Sequence, residues 1–267
     1  MKLTVLFFGD VDGKIGRRAV SKILPSLKKQ YSPDLVMANV ENLAHGKGIT
    51  EKTLQELLDA GVDFCTSGNH IFKREAGLNL LEKKSVPVIR PANYPDGTIG
   101  RGYEIIEVGT KKVLVINLLG KVFIDEKDIA CPFHTLNDIL EKHSQTDLAG
   151  IIVDIHAEAT SEKVAIGWHA DGKVSAVLGT HTHIPTADAK ILPQGTAYIT
   201  DVGMVGAVES VLGVKKDIIL NRFLNNSKES FEFPEEGLTQ VNAVVVEIDS
   251  GTRKAISVKL INKQITI

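Results

Sequence analysis

The chain has 267 residues, 43% of them hydrophobic, which is enough to bury a substantial core and lies near the upper size of one domain, so we expect a single domain over residues 1–267. Its net charge of -2 excludes a global positive field, and duplex nucleic acid is therefore not an expected partner. The two cysteines, Cys65 and Cys131, exclude a disulfide framework and suit a reducing cytoplasm.

The first predicted element is a strand over residues 3–8 (LTVLFF), which ends at Gly9-Asp10. This apolar run is too short for the hydrophobic region of a signal peptide. No stretch of the chain approaches the roughly 20 apolar residues that a membrane span needs. We therefore expect a cytoplasmic protein without a membrane partner.

Helices and strands alternate through the first third of the chain. An amphipathic helix is predicted over residues 15–31, with a kink or break near Leu24 because Pro25 removes a backbone donor. Thr50 is the predicted N-cap of a helix over residues 51–60. The other elements are strands at 34–40, 62–66 and 86–89 and a helix at 74–83. This order is typical of a parallel sheet with outer helices, which places the loops after the strands at one edge.

The middle of the chain changes this pattern. Residues 90–102 (RPANYPDGTIGRG) are rich in proline and glycine and predict an irregular segment that forms a wall of the site. Beyond it the sequence predicts a hairpin at 103–108 and 112–118, a helix at 134–143, and strands at 150–155, 174–179, 196–200, 240–248 and 254–262. The hairpin makes the predicted α/β architecture mixed instead of purely parallel.

Side chains that can ligate a metal follow the predicted strands. Each comes at or just after the end of a buried, strand-like run: Asp10, Glu41, Asn42, Asn69, His156, His181 and His183. A single polar residue at a strand end is commonly a helix cap or a solvent-exposed group. Their repetition at successive strand ends instead predicts that they converge at one sheet edge, as the ligands of a metallohydrolase site.

His181 and His183 lie two residues apart in the sequence GTHTHIP. In an extended segment both imidazoles project to one side, about 6.5 to 7 Å apart along the backbone, which suits two adjacent metal ions. Two solvent-exposed histidines at a strand end are the alternative for this pair alone. A third histidine at a strand end, His156, makes that alternative less convincing.

Asn69 and His70 end the segment Ser67-Gly68-Asn69-His70, which follows the third predicted strand. An amide oxygen can ligate a metal while the neighbouring imidazole handles a proton or a phosphate oxygen. An asparagine-containing turn is the alternative interpretation. His70 is therefore a candidate catalytic residue beside a candidate ligand.

The strand-end motifs GD (9–10), EN (41–42), GNH (68–70), H (156) and GTHTH (179–183) resemble those of the calcineurin-like metallophosphoesterases. Longer segments are similar to the YmdB-like branch of that superfamily: FFGDVDG, NVEN, TSGNH, RPANYP, DIHAEATSEK, GTHTHIPTAD and TDVGM. They span residues 7–204. The resemblance implies a layered α/β/β/α sandwich of mixed sheets flanked by helices.

The resemblance also implies two divalent metal ions. One ion would be held by Asp10, Glu41, Asn42 and His183, and the other by Glu41, Asn69, His156 and His181. The wider superfamily has Asp-x-His after its first strand, where this chain has Asp10-Val11-Asp12, so the contribution of Asp12 stays open. Donors without thiolate suit iron, manganese or zinc, and the resemblance favours iron or manganese.

Two such ions, about 3.5 to 4 Å apart, can bridge a hydroxide that attacks phosphorus in line with the leaving oxygen. His70 is the candidate for protonating that oxygen or stabilising charge on phosphorus. The resemblance implies a phosphodiesterase acting on small cyclic nucleotides, 2',3'-cyclic ones and, more widely, 3',5'-cyclic ones. No substrate-binding residue is assigned, although several cations lie in neighbouring turns: Lys14, Arg17, Lys47, Lys73 and Arg74.

Two other functions stay open. A regulatory protein could bind metals and a nucleotide with little turnover. The opening Asp10-Val11-Asp12-Gly13 also resembles haloacid-dehalogenase-like phosphatases, in which Asp10 would be the covalent nucleophile. That family needs a later acidic magnesium motif, which this sequence lacks. The sequence leaves the oligomeric state open, a homo-oligomer included.

Overall fold

The computed structural model describes residues 1–267 and consists of two six-stranded mixed sheets, a small two-stranded hairpin and surrounding helices. The strands are β1 (Lys2–Val11), β2 (Leu35–Asn39), β3 (Phe64–Thr66), β4 (Tyr103–Val108), β5 (Lys111–Leu119), β6 (Gly150–His156), β7 (Ala176–Thr180), β8 (Lys190–Ile191), β9 (Ala197–Ile199), β10 (Met204–Ala207), β11 (Ser210–Val211), β12 (Val214–Lys215), β13 (Leu238–Asp249) and β14 (Ala255–Thr266). The helices are α1 (Gly13–Tyr31), α2 (Glu51–Ala60), α3 (Glu75–Glu82), α4 (Pro132–Lys142), α5 (Thr160–Ala170) and α6 (Lys216–Asn225), with a short 3-10 helix at Ile71–Lys73.

The first sheet has the strand order β14-β13-β10-β1-β2-β3. β1 runs parallel to β2 and β10 and antiparallel to β13, and β2 runs parallel to β3. The carboxyl ends of β1, β2 and β3 therefore meet at one edge, as the alternating order of helices and strands predicts.

The second sheet has the strand order β4-β5-β6-β7-β9-β8. Its inner strands β5, β6, β7 and β9 are parallel, and the two edge strands are antiparallel to their neighbours. The predicted hairpin of β4 and β5 is confirmed. The carboxyl ends of β6 and β7 again share one edge.

The two sheets pack face to face, with helices on both outer faces. Successive residues of β1 face opposite layers, so Phe7 packs in the core between the sheets and Phe8 packs in the core beneath α1 and α2. On the far face of the second sheet, Leu136 of α4 and Ile166 of α5 are buried in a third core. The predicted α/β/β/α class is confirmed.

The helix α1 is continuous from Gly13 to Tyr31, so of the predicted kink or break near Leu24 the break is wrong. Pro25 lies on the exposed side of the helix, while Leu24 and Leu27 are buried against the first sheet. Water can therefore satisfy the carbonyl that loses its partner, and packing keeps the helix in one piece. No helix of the chain combines the length and apolar character that crossing a membrane requires.

Several other predicted elements can be compared directly. Thr50 caps α2 as predicted, since its Oγ1 accepts from the backbone N of Thr53 at 3.3 Å. The predicted strand at 86–89 is wrong, because only Val88 pairs there, in a single bridge to Cys65. Helices α5 and α6 and strands β10 to β12 were not predicted from the sequence.

Candidate metal centre

The residues predicted as metal ligands all lie where parallel strands end at the facing edges of the two sheets. The first sheet contributes Asp10 in β1, Glu41 and Asn42 after β2, and Asn69 after β3; the second sheet contributes His156 at the end of β6, and His181 and His183 after β7. Residues far apart in the chain therefore meet between the sheets.

The tightest group of donors consists of Glu41, His156 and His181. Their ligand atoms all lie within 4.8 Å of one another. Nε2 of His156 is 3.1 Å from Oε1 of Glu41 and 3.0 Å from Nδ1 of His181. Nitrogen and oxygen atoms so arranged could surround one transition-metal ion.

A second group, formed by Asp10, Asn42 and His183, adjoins the first. Nε2 of His183 lies 3.0 Å from Nδ2 of Asn42 and 4.0 Å from Oδ1 of Asp10. The same Asp10 oxygen is 3.8 Å from Nδ1 of His156, which connects the two groups. Oδ1 of Asn42 accepts a hydrogen bond from Nδ1 of His70 at 3.0 Å and keeps a second lone pair for a metal.

Three buried oxygens at this centre have no hydrogen-bond partner: Oδ1 of Asp10, Oδ1 of Asp12 and Oδ1 of Asn69. An unpaired buried acceptor costs about 1–3 kcal/mol, and more when it is charged. Two of these oxygens belong to predicted ligands, Asp10 and Asn69, and divalent cations would satisfy such acceptors, so the residues present fit a dimetal group. Asp12, whose contribution the sequence left open, lines the same cavity as Glu41 and Asn42.

Burial and nearby charges oppose each other in this centre. Burial raises the pKa of Asp10, although the neighbouring His183 and His156 act against that rise. The pKa of Glu41 lies well below its usual value. Burial acts to raise it, but the charge and hydrogen bond of His156 outweigh that effect. The pKa of His156 is raised to about 9. Burial acts to lower it, but the Glu41 charge outweighs that effect. The carboxylates thus require a positive partner, either a protonated imidazole or a metal ion.

His156 is oriented by residues that were not identified from the sequence. Oγ1 of Thr180 donates to Oδ1 of Asp154 at 2.7 Å and accepts from Nδ1 of His156 at 2.9 Å. This chain of hydrogen bonds directs Nε2 of His156 toward Glu41, an arrangement typical of metal-binding histidines. The available signal was the spacing Asp154-x-His156, which puts two polar side chains on one face of an otherwise apolar strand.

Glu158, also not identified from the sequence, orients His181. Nε2 of His181 lies 3.0 Å from Oε2 of Glu158, so this nitrogen donates and Nδ1 faces Glu41 and His156. Burial, together with the charge of His156, lowers the pKa of His181 to about 3. The imidazole is therefore neutral, as a metal ligand must be.

The predicted extended backbone at His181 and His183 is wrong. Both residues have positive φ, 101° and 67°, so the chain turns tightly after β7. Asp201 holds this turn, because Oδ2 accepts from the backbone N of Thr182 at 3.0 Å and from its Oγ1 at 2.8 Å. Lys163 of α5, which is 0% exposed, pairs with the same oxygen at 2.6 Å. The two imidazoles consequently reach different groups of donors.

His70 lies at the rim of an open cavity of about 410 Å³ above the centre. Its side chain is 26% exposed, and its Nδ1 is 3.3 Å from Oε1 of Glu41. His70 therefore reaches both the donors and the open space. Residues of the segment 90–102 line a different cavity and not this one. Tyr94 of that segment nevertheless lies near the centre, because burial raises the pKa of Tyr94 and the charge of Glu41 adds to that rise. The wall therefore stays a prediction.

Most of the cations in neighbouring turns have structural partners. Lys14 and Arg17 pair with glutamates at 2.5 Å and 2.6 Å, and Arg74 donates to two backbone carbonyls. Lys73 is exposed and does not line the cavity. Lys47 does line it, and is the cation best placed to approach a bound anion.

Replacing Gly68 by alanine is expected to weaken metal binding about 10- to 100-fold, the size of effect seen when residues around metal ligands are changed. A Cβ at this position would overlap Oε2 of Glu41 and the ring of His156. Titration of Mn²⁺ by calorimetry measures the effect. Gly251→Ala, whose Cβ would lie 3.3 Å from the Asp249 side chain at the surface, is the matched control. Equal affinities for both variants would show that Gly68 does not shape the centre.

Comparison with known proteins agrees with the sequence motifs. A family model described as YmdB-like protein matches residues 6–261. The 2',3'-cyclic-nucleotide 2'-phosphodiesterase of Bacillus subtilis (strain 168) is 43% identical over 260 residues, which cover 97% of this chain and 96% of that protein.

Solved structures match along the whole chain. The crystal structure of a novel phosphatase from Mycoplasma pneumoniae is 38% identical, with a TM-score of 0.92 over 100% of this chain and 94% of that one. The NAD nucleotidase of Haemophilus influenzae shares the fold alone, at 17% identity and a TM-score of 0.61 over 100% of this chain and 50% of that one.

Proposed function

The chain belongs to the family of YmdB-like proteins, and from this premise we propose that it is a metal-dependent phosphodiesterase that hydrolyses cyclic nucleotides. Hydrolysis of phosphoric diesters, predicted from the sequence, is supported by the name of the Bacillus subtilis relative. The same name supports 2',3'-cyclic nucleotides as the substrate class, with 3',5'-cyclic nucleotides as a wider class to be tested.

The observation that supports this proposal is the convergence of nitrogen and oxygen donors from both sheets beneath one open cavity. We assign Asp10, Glu41, Asn42 and His183 to one ion and Glu41, Asn69, His156 and His181 to the other. Cys65 is buried in the core beneath the first sheet, and Cys131 precedes α4, so neither thiol joins the donors. This set suits iron or manganese, with zinc as a third choice.

When bound, two divalent ions supply a water molecule activated for attack and neutralise charge on the phosphoryl oxygens. The side chains position this chemistry. Asp154 and Glu158 fix the rings of His156 and His181, and Asp201 fixes the turn that carries His181. His70 donates through Nδ1 to Asn42, so it can protonate the leaving oxygen from Nε2 only when both ring nitrogens carry a proton, and it is then left with the Nδ1 proton alone.

His70→Ala is expected to lower kcat for a 2',3'-cyclic nucleotide about 100-fold or more, because the variant lacks the group that protonates the leaving oxygen. Bound metal should stay within about twofold of wild type, since the assigned ligands remain. Steady-state kinetics and elemental analysis measure the two quantities. His134→Ala, an exposed histidine on α4, is the control. A variant with unchanged kcat would remove His70 from the mechanism.

The substrate class is tested by a panel of 2',3'-cyclic and 3',5'-cyclic nucleotides on anaerobically purified protein, with and without a chelator. We expect turnover of the 2',3'-cyclic substrates that is lost on chelation and restored by Fe²⁺ or Mn²⁺. Protein that holds metal and binds the nucleotides without turning them over would instead be a regulatory binding protein. That outcome would overturn the proposed function.

A further inference from the structure

The cavity above the candidate metal centre has two chemically different sides. One side carries the centre itself, including Glu41, His181 and His183. An apolar part of the lining, here named the apolar wall, consists of Leu212, Phe223, Phe231 and Phe233. A cavity of about 410 Å³ lies within the range of small-ligand sites, which combine an apolar lining with a few polar groups.

A single stretch of the chain builds the apolar wall. Leu212 lies in the turn between β11 and β12, Phe223 lies on α6, and Phe231 and Phe233 lie in the segment between α6 and β13. None of the assigned metal ligands comes from this stretch. The wall is thus an addition to the centre, not a part of it.

Two contacts fix the apolar wall to the centre. The backbone oxygen of Leu212 accepts a hydrogen bond from Nδ1 of His183 at 3.0 Å, which also leaves Nε2 of His183 facing Asn42. The ring of Phe233 packs so closely on Gly46 that a Cβ at that glycine would overlap it. A molecule held at the centre therefore meets the wall at a defined position.

The wall exposes aromatic rings at the mouth of the cavity. Phe223 is 83% exposed, although covering a large apolar side chain is favourable. Phe231 is covered on one side by the guanidinium of Arg222, 4.4 Å from the ring centroid. The wall presents no hydrogen-bonding side chain of its own, so it suits the flat face of an aromatic ring more than the polar edge of one.

We propose that the apolar wall binds the nucleobase of a nucleotide whose phosphodiester lies over the metal centre. This assignment rests on the proposed function, and it makes the nucleobase the part of the nucleotide that adds affinity for the protein. Stacking of a base on an aromatic side chain is tolerant of base identity, because every base has a π-face. The four 2',3'-cyclic ribonucleotides should therefore differ by less than about tenfold in kcat/KM.

The test compares 2',3'-cyclic AMP with ribose 2',3'-cyclic phosphate, which lacks the base, on metal-loaded protein. For wild type, KM should be at least about tenfold lower for the nucleotide, as stacking predicts. Phe223→Ala and Phe231→Ala should each reduce this ratio of KM values by about fivefold or more. Leu224→Ala, on the same helix and 77% exposed but outside the cavity, should leave the ratio unchanged.

Different failures lead to different conclusions. Equal KM values for the two wild-type substrates, or an unchanged ratio in both phenylalanine variants, would overturn the base site while leaving the phosphodiesterase intact. If wild type hydrolyses neither substrate, the proposed function fails, and calorimetric binding of 3'-AMP against ribose 3-phosphate then decides the base site alone. Variants that change the sedimentation coefficient would mark the wall as a contact between copies of the chain, which also overturns the proposal.

Discussion

Asp10→Ala is expected to hold at most one metal ion per chain and to lose phosphodiesterase turnover by about 1,000-fold or more. Asp10 is fully buried, and its Oδ1 lies between His156 and His183 without a hydrogen bond, where a cation would complete its coordination. Loss of one ion of a pair removes several kcal/mol of charge stabilisation, and each 1.36 kcal/mol is tenfold in rate.

Elemental analysis, turnover of a 2',3'-cyclic nucleotide and Tm should be measured on the same preparations. Metal should raise the Tm of wild type, because an ion that binds only the folded state stabilises it, and should raise the Tm of Asp10→Ala less. Asp138→Ala, an exposed carboxylate on α4, controls for the loss of an acidic group. Full metal occupancy in Asp10→Ala would contradict the assignment of Asp10 as a ligand.

Lys163→Met is expected to lower the free energy of unfolding by about 3–5 kcal/mol, because it leaves the buried Asp201 carboxylate without its cation. Nζ of Lys163 lies 2.6 Å from Oδ2 of Asp201. Both side chains are buried, and the ammonium group neutralises the carboxylate. Since Asp201 also holds the backbone of Thr182, the turn between His181 and His183 should loosen, and metal affinity should fall with stability.

Urea unfolding and Mn²⁺ titration measure these two effects. The double variant Lys163→Met with Asp201→Asn should recover part of the lost stability, because a neutral amide oxygen can still accept from Thr182 without an unpaired buried charge. Lys173→Met, an exposed lysine that follows α5, should stay within about 0.5 kcal/mol of wild type. A Lys163→Met protein as stable as wild type would show that the pair does not support the fold.

The main strands of the fold could be predicted because the residues of each strand themselves show its apolar pattern. Runs such as residues 3–8, with Thr4 the one polar residue, and 151–153 are almost entirely apolar, as buried parallel strands are. Helix α2 carries both its apolar face and its Thr50 cap in consecutive residues. Helix α6 was not predicted, and much of it stays exposed, with Phe223 and Leu224 among its solvent-facing residues.

The prediction failed where local preference was overruled by contacts with distant residues. Pro25 favours a broken helix by itself, but the packing of α1 against the first sheet keeps it continuous. His181 and His183 alternate as in a strand, yet both have positive φ, because Asp201, paired with Lys163, holds Thr182 between them in a turn. Neither partner could be inferred from the residues around the histidines.

The sequence by itself determined the candidate ligands, since strand ends in a parallel arrangement identify Asp10, Glu41 and His156 without coordinates. It also carried the family motifs. Only the tertiary structure decided how these candidate ligands are held and what else lines the cavity: Lys163, which pairs with the Asp201 that holds the histidine turn, and the phenylalanines of the apolar wall. The physical reason is that a strand end is a local property of the chain, whereas a buried ion pair or a shared cavity exists only once distant segments have packed together.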